Sequence, residues 1–349
     1  MTYGWFLPVV FCLSFILTWA LRRYALARSL LDIPNARSSH SVPTPRGGGV
    51  AIVVAFVLAL VVLWGVGMTS SSAFFAVAGA GGLIAVIGFM DDHGHIAARW
   101  RLLGHFFASG WLLFWLGGMP AVEVFGAQVD LGVAGHLLAL FYLVWLLNLY
   151  NFMDGIDGIA GVEAICACLG ACLLYWLVDA TALIWAPLLL AAAVMGFLCW
   201  NFPPAKIFMG DAGSGFLGVV LGGLSLQAAW QNPSLFWGWL ILLGVFIVDA
   251  TFTLFRRLLR GDKVYEAHRS HAYQFASREY GRHLPVTLTT GLINLCWLLP
   301  IAVGVTRFGL GGVWGVLLAY IPLVFLAIRF HAGELEKNAD GAKDNQSVI

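Results

Sequence analysis

Eleven apolar runs, each about as long as a membrane's hydrocarbon core is thick, divide this 349-residue chain. A helix crossing that ~30 Å core needs roughly 20 apolar residues. The runs fall near 4–21, 47–68, 73–90, 102–119, 134–150, 158–178, 183–200, 214–230, 235–255, 286–305 and 310–328. Charged residues make up only 11% of the chain and mean hydropathy is +0.87. A soluble domain carries roughly 25% charged residues, so this one could not cover the surface of a water-soluble globule. Disorder requires the opposite composition. The expectation is an all-α integral membrane protein with about eleven transmembrane helices, or ten should one run fail to span. The fifth and eighth runs are the weakest, because each is short or contains polar residues.

The basic residues orient it. Eighteen of the nineteen Lys and Arg lie in segments 22–46, 91–101, 201–213, 256–285 and 329–349, all on one side; Arg307 alone is on the other. Cytoplasmic loops carry such an excess. With an odd span count the N-terminus is outside and the C-terminus cytoplasmic. The first run has no positive residue ahead of it and is followed by Arg22 and Arg23. That is the reverse of a signal peptide, so it reads as a retained helix.

Six cysteines all fall inside apolar runs, and Cys166-x-Cys168-x-x-x-Cys172 lacks zinc-site spacing. They read as small core residues. With no linker and no repeat, residues 1–330 form one polytopic membrane domain, and 331–349 read as a disordered polar tail.

The remaining polar signals collect on the cytoplasmic side. Asp91 and Asp92 end the third run. Asn148, Asn151, Asp154 and Asp157 sit in NLYNFMDGIDGIA, and Lys206 and Asp211 in NFPPAKIFMGDAGS. Buried at a helix centre, each aspartate would cost about 2.5–3.5 kcal/mol, so they belong at a wet membrane mouth. Any one alone also reads as a solvated loop charge. The Asn-x-x-Asn-x-x-Asp-Gly-x-Asp-Gly spacing is stronger, since steps of three and four share a helical face.

Glycines open the second, sixth and eighth runs: Gly47–Gly49, Gly155 and Gly158, then Gly210, Gly213 and Gly215. Singly, each reads as helix packing. Three such starts beside the acids point instead to an anion received at helix N-termini. An anion beside five carboxylates needs a divalent cation between them, and hard oxygen ligands suit Mg²⁺, with Mn²⁺ able to substitute. Arg46, Lys206, Arg256, Arg257 and Arg260 could hold further phosphate charge, or attract lipid headgroups. The result is a metal–diphosphate site open to the cytoplasm, within reach of a phosphate-bearing lipid.

His268 and His271 lie in loop 256–285. No third ligand completes a metal site there, so they are read as hydrogen-bond donors to a phosphate or nucleotide, against ordinary loop structure. Asp249 and Glu163 lie inside spans. Either suits buried packing, and Asp249 is the better functional candidate.

These motifs, in order from Leu31 to Gln274, resemble the polyprenyl-phosphate N-acetylhexosamine-1-phosphate transferases, glycosyltransferase family 4. The set comprises Asp32-Ile-Pro34-Asn35-Ala-Arg37-Ser-Ser-His40, Pro43-Thr-Pro-Arg46-Gly47-Gly48, Asp91-Asp92, the Asn148–Asp157 segment, Lys206–Asp211 and the His268 segment. The resemblance implies that a polyprenyl phosphate, here undecaprenyl phosphate, attacks the β-phosphorus of a UDP-N-acetyl-aminosugar, releasing UMP, with Mg²⁺ required. It implies Asp211 as metal ligand, joined by Asp154 and Asp92, and Asp91 at the lipid phosphate. It implies Arg46, Asn148, Asn151, Asp154, Asp157, Lys206, His268 and His271 as substrate contacts. The peptidoglycan branch has three successive histidines where this chain has His268-Arg269-Ser270-His271. The chain looks more like members that start O-antigen or related polysaccharides from UDP-FucNAc, UDP-QuiNAc or similar sugars, in the bacterial inner membrane. A homodimer is allowed, and nucleic acid is not an expected partner.

The rival is a secondary transporter of an anionic solute. Transporters place such residues near the midplane and often show inverted repeats; here the acids gather at one face and no internal symmetry is evident.

Overall fold

The computed structural model describes residues 4–34, 42–94, 96–262 and 268–335. Asn35–His40 of the resemblance set and residues 336–349 of the polar tail lie outside them.

Each of the eleven apolar runs is helical. The helices are α1 (Phe6–Ala27), α2 (Val50–Gly65), α3 (Ser71–His93), α4 (Ala98–Leu116), α5 (Gly132–Met153), α6 (Ile159–Leu177), α7 (Trp185–Asn201) and α8 (Asp211–Gln231). After these come α9 (Pro233–Leu242), α10 (Gly244–Arg260), α11 (Ala272–Tyr280), α12 (Leu284–Ile293), α13 (Leu299–Arg307) and α14 (Gly312–Arg329). A π-helical turn, Asn294–Leu298, joins α12 to α13 in one continuous span.

Eight helices among the described residues are long and apolar enough to cross a membrane, or nine if the α9–α10 pair, bent by 69°, counts as one. The expectation of eleven is therefore met in helices and only partly in spans. The two that fall short are α2, with 16 residues, and α4, which opens with Arg99 and Arg101. The fifth and eighth runs, expected to be weakest, both qualify. Indeed α8 is the most enclosed helix, with 94% of its spanning window buried. Its glycines and serines face other helices, and in a membrane small residues let backbones approach closely.

Close packing of that kind positions the site. A Cβ added at Gly88 of α3 would lie 2.5 Å from the Asp211 carbonyl carbon and the Ala212 nitrogen. Only glycine lets the end of α3 touch the start of α8.

Two short antiparallel ribbons depart from an all-helical reading. β1 (Leu31–Asp32) pairs with β2 (Thr44–Pro45), and β3 (Val122–Val124) pairs with β4 (Ala127–Val129). The first matters for the site. Phe208 N donates to Pro45 O at 2.8 Å, Gly48 N to Phe208 O at 2.9 Å and Gly49 N to Met209 O at 2.8 Å. The stretch before α8 thus runs alongside residues 45–49, which carries Arg46 to Asp211.

The first residues of the polar tail contact the rest of the chain. Arg256 donates to Ala332 O at 3.1 Å, and Gly333 N donates to Ser270 O at 2.6 Å.

Candidate active site

The site grows from two helix ends. Asp92, in the last turn of α3, has a side chain only 4% exposed. Asp211 N donates to its Oδ1 at 3.1 Å and Ala212 N to its Oδ2 at 3.3 Å. Asp92 therefore completes the N-terminus of α8, where free amides and the helix dipole favour a negative charge. Gly210 makes room, with φ +78° and a virtual Cβ 2.7 Å from Asp92 Oδ2.

Guanidinium groups tie the aspartates together. One terminal nitrogen of Arg46 lies 2.8 Å from Asp92 Oδ1 and 2.7 Å from Asp211 Oδ1. Arg101 donates to Asp91 Oδ2 at 2.5 Å and lies 3.7 Å from Asp211 Oδ2. Asp91 also accepts from Ile96 N at 2.9 Å. Burial alone would lower the Arg46 pKa, but the charges of Asp211, Asp92 and Asp32 raise it above its ordinary value.

Asp154 follows α5. Burial pushes its carboxyl well above the usual carboxylate range; Asp211, Asp92 and Asp157 add to the effect and Arg46 opposes it. From the same segment, Asn151 Nδ2 donates to Ser214 Oγ of α8 at 2.9 Å. Asn148 donates back to Val144 O at 2.7 Å, and with Asn151, Arg101, His105 and Asp211 it lines a small cavity between α3, α4, α5 and α8.

Asp157 serves the frame. It accepts from Ala205 N at 3.0 Å, lies 3.2 Å from His283 Nδ1, and its carbonyl accepts from Thr287 Oγ1 at 2.8 Å. It also borders a cleft of about 610 Å³ walled by Pro203, Phe208, Arg269, Arg278, Arg282 and His283.

Lys206 sits beside this frame, its Nζ 5.5 Å from the Trp200 ring centroid. His268 Nδ1 lies 2.9 Å from Ser270 Oγ, and its ring is 4.9 Å from that of His271. Burial, with the charges of His271 and Arg257 adding to it, drives the His268 pKa down to about 3, so this ring is neutral at physiological pH.

Two expectations need correction. The amides of the glycine-bearing helix starts are engaged by the protein itself: Gly48 and Gly49 by Phe208 and Met209 carbonyls, Gly158 by Asn201 Oδ1 at 3.0 Å, and the first amides of α8 by Asp92. Nor do Arg256 and Arg260 join the site, whereas Arg257 lies close enough to His268 for its charge to act on that ring. Arg256 pairs with Glu334, whereas Arg257 and Arg260 pair with Asp262.

Two of the expected cation ligands lie side by side. Asp92 Oδ1 and Asp211 Oδ1 converge on one point, the Arg46 nitrogen, so two hard carboxylate oxygens could share a Mg²⁺. Asp211, 22% exposed, is the more available. Asp154 does not complete a triad with them; among the described residues no group of three His, Cys, Asp or Glu is placed to hold a metal.

Sequence reasoning missed Arg101 as a site residue, and missed His283 altogether. Arg101 was within reach: it lies in the first turn of the helix after Asp91, across a short connection that makes α3 and α4 neighbours. His283 is a tertiary contact with no local signal.

The chain shares 31% identity over 293 residues with the decaprenyl-phosphate N-acetylglucosaminephosphotransferase of Mycolicibacterium smegmatis, covering 74% of this chain and 72% of the relative. The glycosyl transferase family 4 model matches residues 74–229. The chain belongs to glycosyltransferase family 4. Within that family it is similar to polyprenyl-phosphate hexosamine-1-phosphate transferases. A probable undecaprenyl-phosphate N-acetylglucosaminyl 1-phosphate transferase of Bacillus subtilis is 28% identical over 264 residues, 74% of this chain and 72% of its own. A phospho-N-acetylmuramoyl-pentapeptide-transferase of Streptococcus thermophilus is 28% identical over 236 residues, 63% and 67% respectively. The family-4 match spans Asp91, Asp92, the Asn148–Asp157 segment and Asp211, whereas Arg46 and the histidine segment lie outside it.

Proposed function

We propose that this family-4 protein transfers the sugar-1-phosphate of a UDP-N-acetyl-aminosugar to undecaprenyl phosphate. UMP is released, and undecaprenyl-diphosphate-sugar begins an O-antigen or related envelope polysaccharide. A lipid-phosphate oxygen forms a bond to the β-phosphorus of the donor as the bond from that phosphorus to the bridging oxygen breaks, and UMP departs with the electron pair. The membrane is the bacterial inner membrane, with the aspartate end of the helices cytoplasmic.

The observation that carries this reading is the junction of α3 and α8, where Asp91, Asp92 and Asp211 are laced by Arg46 and Arg101. Transfer between two anions needs charge neutralisation and alignment more than a strong base, because the lipid phosphate, with its second pKa near 6, is already largely a dianion at neutral pH. Arg46 and Arg101 offset part of the charge of Asp91, Asp92 and Asp211, and Asp92 holds the start of α8 so that Asp211 projects beside them. Mg²⁺ held by Asp211 with Asp92 would shield the two reactants from each other and polarise the transferred phosphoryl group. The cleft beside Asp157 has a volume within the usual range for small-molecule sites, roughly 300–1,000 Å³, and its arginines suit the donor's nucleotide diphosphate.

Purified protein in detergent, given Mg²⁺, undecaprenyl phosphate and a panel of UDP-GlcNAc, UDP-FucNAc and UDP-QuiNAc, should release UMP with at least one donor, and only when lipid is present. Failure with every donor would sink the reading. UMP release without any sealed compartment also excludes a transporter.

A further inference from the structure

A second helix start is completed by a carboxylate from elsewhere in the chain. Asp249 of α10 is 7% exposed. Its Oδ1 accepts from Ala272 N at 2.9 Å and from Thr253 Oγ1 at 3.2 Å, and its Oδ2 accepts from Tyr273 N at 3.0 Å. His271 Nδ1 lies 3.3 Å from the same Oδ1. Ala272 and Tyr273 open α11, so Asp249 does for α11 what Asp92 does for α8.

The imidazole is more than a bystander to this cap. An ionised carboxylate only accepts, so pairing with Asp249 calls for the hydrogen on His271 Nδ1. Nε2 is left as the ring's other functional atom. His271 is 3% exposed, and its Nε2 is buried with no hydrogen-bond partner among the described residues. Leaving such a group unmet is costly, and native folds do so rarely. A ligand that brings the partner explains why the cost persists.

The placement agrees. Tyr273 Oη donates to Phe152 O at 2.9 Å. A Cβ at Gly155 would strike that hydroxyl and lie 3.2 Å from Gln274 Nε2. The start of α11 is thus seated on the segment that carries Asp154, and the carboxylate that seats the helix also fixes the ring.

We propose that Asp249 is a positioning residue for the donor substrate: it docks α11 and orients His271 so that the bare Nε2 accepts from an N–H or O–H of the nucleotide sugar, rather than donating to a phosphate as the sequence suggested. This rests on the transferase reading above. A plain helix cap would account for the two amides and for the His271 ring at the N-cap position, but leaves the unmet Nε2 without a role.

Two measurements test it. In ¹⁵N-histidine NMR of the detergent-solubilised protein, with the His271 signal assigned through H271Q, the neutral ring should carry its hydrogen on Nδ1. An Nε2-protonated ring overturns the proposal whether or not any Asp249 variant folds. In steady-state kinetics with the UDP-sugar that wild type uses best, D249N should raise the donor KM by up to about tenfold, the upper end for one neutral hydrogen bond. The undecaprenyl phosphate KM should stay level. D249E should recover part of the loss, and D249N/H271Q should be no worse than H271Q alone. Additive losses, or parallel rises in both KM values, would mean that Asp249 acts only on the fold, and the proposal fails. If wild type uses no UDP-sugar, the transferase reading falls, while the ring measurement still decides whether Asp249 sets His271.

Discussion

Replacing Asp211 by Asn should cost far more turnover than replacing Asp91 by Asn, although both carboxylates face Arg101. The difference follows from what each oxygen already holds. Asp91, 7% exposed, spends one oxygen on Ile96 N and the other on Arg101. An Asn there keeps an acceptor for the amide and loses one charge-assisted contact, about 1.5–3 kcal/mol. Felt entirely in the transition state, that is roughly 10- to 150-fold in rate. Asp211 is 22% exposed and projects from the first turn of α8 toward Arg46. The loss is that of the cation Asp211 would hold, an electrostatic group aimed at developing negative charge, and removing such a group costs roughly 10²–10³-fold. The expected ranking is therefore about 10³-fold for D211N against a loss nearer tenfold, and roughly 150-fold at most, for D91N. UMP release by both variants across pH 6–9 checks it. Because the lipid phosphate is already ionised at pH 8, the D91N profile should keep the wild-type shape. Equal losses independent of pH would refute the reasoning, and a D91N defect that disappears at high pH would restore Asp91 as a base.

Further outcomes follow from other contacts. Gly88→Ala should lower the melting temperature by an amount matching about 1–3 kcal/mol of overpacking and abolish most UMP release, since the new methyl meets the backbone of Asp211 and Ala212; thermal melting in detergent and turnover read both. Asp154→Asn should stabilise the protein in EDTA at pH 8. The folded carboxyl titrates well above its ordinary 3.8, so between those values the native state binds the extra proton and wild-type stability falls as pH rises; the gain over wild type should vanish by about pH 3, below both titrations. EDTA should stop UMP release, and Mg²⁺ or Mn²⁺ should restore it.

Much of the helical plan was legible because twenty-residue apolar runs have few other uses. The errors came from treating polar content as weakness. Gly213, Ser214, Gly222, Gly223 and Ser225 lower the hydropathy of α8, yet all are buried. The bend between α9 and α10 was not visible, since the run 235–255 stays apolar across it. In the candidate site, Asp91, Asp92 and Asp211 stood out by type and order. Their pairing with Arg46 and Arg101 did not, because it depends on which helix ends meet.

The glycine-bearing starts show the limit most clearly. A glycine before a helix admits a close neighbour, and the sequence does not say whether that neighbour is a phosphate or another part of the chain. In α8 it is Asp92, in α2 the carbonyls of Phe208 and Met209, and in α6 the Asn201 amide. With those donors spent, and with Arg46 and Arg101 paired to Asp91, Asp92 and Asp211, the positive field available to a diphosphate comes from the arginines along the cleft rather than from helix dipoles. Guanidinium groups at the surface are screened by salt over about 8–10 Å, whereas amides at a buried helix start are screened much less. Donor binding to this site should therefore weaken as ionic strength rises, and a salt-independent donor KM would return the weight to the helix termini.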